Sequence, residues 1–103
     1  MEVKAVTDAA LLDILAKLEP DAEIEESLRK LLLAKARNDL IRHRLMDHGF
    51  QRDYGMDFFA YKSSEQMKRP SFKVEQDYFD WELTVTRIEE LGEVIEFLHR
   101  DTR

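Results

Sequence analysis

The feature that most constrains this chain is a regular apolar stripe in its last third. Tyr78, Trp81, Val85, Ile88, Leu91, Ile95 and Leu98 recur at steps of three and four. That spacing places side chains on one face of an α-helix. The stripe also holds the only tryptophan. A helix so patterned needs an apolar surface to lie against, and the residues upstream must supply it. The pattern predicts a final helix over residues 76–99.

Taken in order, the chain reads as helix after helix. Residues 1–7 alternate weakly, with Glu2, Lys4 and Val6 on one side, and fit a short strand or a tail. Thr7 or Asp8 is a good N-cap for a helix over 8–18 that carries Leu11, Leu12, Ile14, Leu15 and Leu18. Pro20 requires that helix to stop, because the residue before a proline is pushed out of helical geometry. Asp21 is then the expected cap of a long helix over 21–48, roughly 40 Å in length at 1.5 Å per residue. Glu23, Glu25 and Glu26 fall in its first turns, where the helix dipole favours negative charge. Ile24, Leu28, Leu31, Leu32, Leu40 and Leu45 spread over more than one face, which predicts two neighbours or a twin helix. Gly49 is the expected left-handed stop, with Phe50 folding back onto the last turn. Asp57 is the expected cap of a short helix over 57–66, with Met56 as a hydrophobic staple. Ser71 to Glu75 alternates and is expected to be extended. Gly92 interrupts the last helix at a cost of about 1 kcal/mol relative to alanine, which suggests close approach of another backbone. The expected architecture is all-α: an elongated helical hairpin with a short bridging helix, forming one helical domain over 1–103 and a coiled-coil-like dimer.

Composition narrows the function. The chain has 103 residues, 37% of them charged, and a formal net charge of -6. That balance disfavours general nucleic-acid binding. The charge is also segregated. Arg29, Lys30, Lys35, Arg37, Arg42 and Arg44 make the middle of the long helix basic. Glu75, Asp77, Asp80, Glu82, Glu89, Glu90, Glu93 and Glu96 make the last helix acidic. An antiparallel pairing of these two segments would let charge set the register while apolar burial supplies stability. With no cysteine there is no thiol chemistry. His43 and His48 are five apart and do not share a helix face, so no metal or cofactor is expected. No nucleophile is paired with a base and no glycine-rich phosphate loop is present. The expectation is a protein that is not an enzyme. The lack of cysteine, of a long apolar run and of a signal-peptide core points to a cytoplasmic protein without membrane contact.

Two sets of residues carry the binding expectations. Asp77, Tyr78, Phe79, Asp80 and Glu82 are candidate partner contacts. Phe79 lies off the apolar stripe, between two aspartates; it is either core or an interface anchor rimmed by charge. Leu28, Leu31, Leu32, Leu40, Trp81, Val85, Ile88, Leu91 and Ile95 are candidate core or dimer residues.

The segment Tyr54-Gly55-Met56-Asp57-Phe58-Phe59, followed after a charged spacer by Val74-Glu75 and Asp77-Tyr78-Phe79-Asp80-Trp81-Glu82, then Val85-Thr86-Arg87-Ile88-Glu89-Glu90-Leu91, resembles a family of small, mostly uncharacterised prokaryotic helical proteins. Their pattern is a Tyr-Gly-Met step, a D-Y-x-x-W-E motif and a leucine-rich acidic helix. The resemblance covers residues 22–98; the spacer Lys68-Arg69-Pro70 departs from it, the family being often acidic and glycine-containing there. It implies an antitoxin-like partner of a small RNase-type toxin, a basic protein neutralised by occlusion, with no catalytic residue assigned. Two other readings stand beside it. Residues 1–36 have the order of a ribbon-helix-helix DNA-binding autoregulator, though Glu2, Lys4 and Val6 would read a DNA groove poorly. A coiled-coil dimerisation adaptor is the other.

Overall fold

A computed structural model of the chain describes residues 7–20 and 23–100. The described residues are all-α, with four α-helices: α1 (Asp8–Leu18), α2 (Ile24–Tyr54), α3 (Phe58–Lys62) and α4 (Phe72–Arg100), and a 3-10 turn at Glu65–Met67. Most of the candidate strand, with Glu2, Lys4 and Val6, and the expected cap Asp21 lie outside the described residues. The chain divides into two compact units, and the boundary falls inside α2, between Lys35 and Ala36.

In the first unit the Thr7 hydroxyl accepts a hydrogen bond from the Ala10 N–H at 3.1 Å and caps α1. Glu19, before Pro20, leaves helical geometry. Leu15 and Ser27 are buried, and Lys30 pairs with Glu19 at 3.1 Å. Most other apolar side chains of this unit are exposed, including Leu28, Leu31 and Leu32.

The second unit is a helical hairpin. The C-terminal part of α2 packs against α4 through Ala36, Leu40 and Leu91, with Ile88 and Ile95 alongside. Further along, Phe58, Tyr61 and Trp81 form a second cluster with Phe50, Tyr54, Met56, Met67, Val74, Tyr78 and Val85. The first cluster joins α2 near its middle to α4 near its end. The second joins the end of α2 to the start of α4, so the two helices run antiparallel. The short helix α3, capped by Asp57 accepting from the Ala60 N–H at 2.8 Å, closes over the second cluster.

Three boundaries, and the reason for one glycine, differ from what the sequence suggests. The long helix does not stop at Gly49. It continues to Tyr54, and the left-handed residue is Gly55, with φ +67; its N–H reaches the Gln51 carbonyl at 2.7 Å. Both glycines suit a helix stop, and packing decides between them: only the longer helix brings Phe50 and Tyr54 onto Trp81. The third helix ends at Lys62 rather than 66, because the Ser63 and Ser64 hydroxyls bond the Phe59 and Tyr61 carbonyls and compete with further helical turns. Ser71 to Glu75 is not extended. Ser71 caps α4 by accepting from the Val74 N–H at 3.2 Å, so the last helix begins four residues earlier than expected. Finally, among the described residues nothing beyond its own helix backbone and chain neighbours comes within 4 Å of where a Gly92 side chain would stand, so close approach of another described backbone is not its reason.

The glycines give a direct check. Gly49 is helical and a Cβ there would meet only the Arg52 guanidinium, at 3.9 Å. Gly49→Ala and Gly92→Ala should each stabilise the protein by about 0.5–1 kcal/mol. Gly55→Ala should destabilise it by about 1–2 kcal/mol, the cost of a left-handed alanine. Thermal melts of the three variants read this out, and a destabilised Gly92→Ala would point to something packed on that face.

Candidate protein-binding surface

Trp81 and Tyr61 are fully buried. Phe50 stacks on the Trp81 ring with centroids 5.3 Å apart, Phe58 meets it edge-on at 5.5 Å and Tyr61 lies at 4.9 Å. A buried indole N–H needs an acceptor. Here it donates to the Asp47 carboxylate at 2.7 Å, whose other oxygen accepts from Gln51 at 2.8 Å. Tyr61 donates its hydroxyl to the Val74 carbonyl at 2.8 Å. Tyr54 donates to Asp77, which also holds Lys73 at 2.9 Å. The aromatic cluster therefore reaches its polar partners at the edge of the core.

The charge states follow from this arrangement. Burial, and then the bond to Asp77, raises the Tyr54 hydroxyl far above the ordinary tyrosine value of 10.0. Burial also works to raise the Asp77 carboxyl, but Tyr54 and Lys73 outweigh it and hold the group below its ordinary value. The same contact raises Lys73. Burial and Glu82 raise the Tyr78 hydroxyl, which donates to Glu82 at 3.1 Å.

Fixing Trp81 inward fixes what α4 turns outward. Residues advance about 100° around a helix, so Phe79, two positions away, faces away from the core. Phe79 is 55% exposed and Leu83 75% exposed. Phe72, Val94 and Phe97 are exposed on the same side, with Thr86 and Glu90 interrupting the stripe. Glu75, Glu82, Glu89 and Glu96 are seven residues apart and exposed, so they line one edge of it. Along the other edge runs an open groove of about 460 Å³ between α2 and α4, lined by His43, Met46, Phe50, Asp80, Leu83, Thr84, Arg87 and Glu90 among others. Met46 and Leu83 are its apolar walls. The Thr84 hydroxyl is turned back onto the Asp80 carbonyl at 2.9 Å. The Arg87–Glu90 pair, at 3.1 Å, stands on the rim. His43 donates Nδ1–H to the Asp39 carbonyl at 2.8 Å.

The expected partner contacts thus separate into two groups. Phe79, Asp80 and Glu82 are exposed. Asp77 is turned toward Tyr54 and Lys73, and Tyr78 is half-buried against Phe58 at 5.6 Å. Among the expected core residues, Leu40, Trp81 and Leu91 are buried, while Val85, Ile88 and Ile95 are half-buried. The sequence reading missed Asp47 and Tyr54. Asp47, Phe50, Gln51 and Tyr54 stand at i, i+3, i+4 and i+7, so one face of α2 presenting a carboxylate among aromatics was available as a signal. Among the described residues, no three His, Asp or Glu side chains converge to hold a metal ion, and no helix is long and apolar enough to cross a membrane. No protein-family model, curated protein or solved structure matches the chain.

Trp81→Ala should destabilise the fold by about 3–5 kcal/mol, the usual cost of emptying a large aromatic site. The pH dependence has two limbs. Because Tyr54 is raised in the folded state, its stabilisation is complete below the unfolded value of 10.0 and is lost as the pH rises beyond it. Because Asp77 is lowered, its stabilisation is present above the ordinary value of 3.8 and is lost as the pH falls below it. Melting temperature should fall at both extremes, and Tyr54→Phe should flatten both limbs. Limbs unchanged by that substitution would remove this pair from the account.

Proposed function

We propose that this chain is a non-catalytic protein-binding module whose outward face of α4 takes a basic partner. The observation that carries the reading is the stripe of Phe79, Leu83, Val94 and Phe97, exposed on the side opposite Trp81 and edged by glutamates. Exposed apolar side chains in a row mark interaction sites. Aromatic anchors supply the affinity of such contacts, and a one-signed rim supplies partner choice and encounter rate. The groove beside Leu83 offers a place for an apolar anchor of the partner. The resemblance of the Tyr54–Phe59 and Asp77–Glu82 segments to antitoxin-like proteins suggests the finer reading. In it the module is the cytoplasmic neutralising component of a toxin–antitoxin pair, and it covers the basic RNA-facing surface of a small RNase-type toxin.

The test is a titration against the product of the adjacent reading frame, which this reading expects to be a small basic protein, purified separately. A complex is expected that weakens as salt is raised. Phe79→Ala should fold with an unchanged melt yet bind at least ~10-fold more weakly, corresponding to the loss of about 1.4 kcal/mol or more. If Phe79→Ala unfolds the protein, or folds and binds normally, the interface lies elsewhere. Random duplex DNA should stay unbound at physiological salt, given the net charge of -6.

A further inference from the structure

The first unit carries a surface of a different kind. Glu25, Leu28, Leu32 and Lys35 are all exposed on α2, and their spacing of three, four and three is the seam of a heptad repeat. Leu28 is 41% exposed and Leu32 55% exposed, with Ile24 and Leu31 exposed at the flanks. The seam has an acid at one end, a base at the other and two leucines between. That order is self-complementary in one orientation only. An antiparallel copy sets Leu28 against Leu32 and Glu25 against Lys35, twice, about a two-fold axis. A parallel copy sets Glu25 against Glu25 and Lys35 against Lys35.

We propose that the N-terminal half of α2 is a homodimerisation seam, and that two copies pair antiparallel through Leu28 and Leu32 with Glu25 and Lys35 closing each end. The occupant is a second copy because the charge pattern fits itself. A two-fold contact of this kind closes on itself and stops at two chains. The leucines supply the stability, and the end charges select the orientation. The seam shares no residue with the α4 face, so it stands or falls apart from the partner-binding reading.

Sedimentation of the purified chain without any partner should give a dimer at micromolar concentration. Glu25→Lys and Lys35→Glu each turn both end pairs repulsive and should weaken dimerisation by about 10-fold or more. The double variant Glu25→Lys/Lys35→Glu should restore it. Leu28→Glu should give a monomer. These sites are exposed, so helicity by circular dichroism should hold in every variant. Because the chain lacks cysteine, orientation is also read by disulfide trapping in an otherwise unchanged background. Glu25→Cys should cross-link to Lys35→Cys in a mixed sample, and neither should cross-link to itself. A monomeric wild-type protein, a double variant no better than the singles, or self-cross-linking of Glu25→Cys would each overturn the proposal.

Discussion

The hydrogen bond from the Trp81 indole to Asp47 is the contact on which the second unit depends. Both partners are constrained. The indole is fully buried, and an unmade bond there costs about 1–3 kcal/mol. Asp47 is a charged group at the core edge, and it is satisfied by Trp81 and Gln51 together. The bond joins α2 to α4 across 34 residues. Sliding one helix past the other by one turn, about 5.4 Å, would break it and would also unstack Phe50 from Trp81. The leucine and isoleucine contacts farther along the hairpin tolerate such a slip far better, because one aliphatic side chain substitutes readily for another. Register is therefore set at the aromatic end of the hairpin.

That setting also decides the surface. A helix has one rotation about its axis, so the inward Trp81 and the outward Phe79 are a single choice. This explains why α4 carries apolar residues on two opposite sides without being buried all round. It also places the charge. The interhelical polar bonds between α2 and α4 include Trp81 to Asp47, Tyr54 to Asp77 and Arg37 to His99. Arg42 and Arg87 pair within their own helices. The heptad of Glu75, Glu82, Glu89 and Glu96 lies along the outward edge of α4, where exposed ion pairs add little to folding and a one-signed row still acts on a partner.

Much of this was legible because helical periodicity survives in sequence. The Trp81–Leu91–Ile95 stripe and the displacement of Phe79 from it needed nothing beyond counting residues. Asp57 was legible as a cap, and the first cap was narrowed to Thr7 or Asp8, because the capping bond is made three residues away. The errors fall where local signals tie. Gly49 and Gly55 are equally good helix stops, and only the tertiary contacts of Phe50 and Tyr54 break the tie. Ser71 to Glu75 alternates over too few positions to distinguish a strand from a capped first turn. Asp47 was passed over for the opposite reason: the aromatics Phe50 and Tyr54 share its face, but a carboxylate on a charged helix looks solvated until its partner, 34 residues on, is known.

The two exposed apolar surfaces differ in what they can accept. One edge of the α4 face is a row of glutamates alone. Two copies of it laid face to face and antiparallel would bring the glutamate rows together, and like charges side by side oppose association. The seam on α2 has charge of both signs in an order that matches its own antiparallel copy. Under the two proposals the surfaces have separate roles: the α2 seam would associate with itself, and the α4 face, kept from doing so, would stay open to a basic partner. A chain with two apolar surfaces of equal self-affinity would have no means of ending its own assembly. Under these proposals, the placement of Glu25 and Lys35 at opposite ends of one seam, and of four glutamates along one edge of the other, would supply that means.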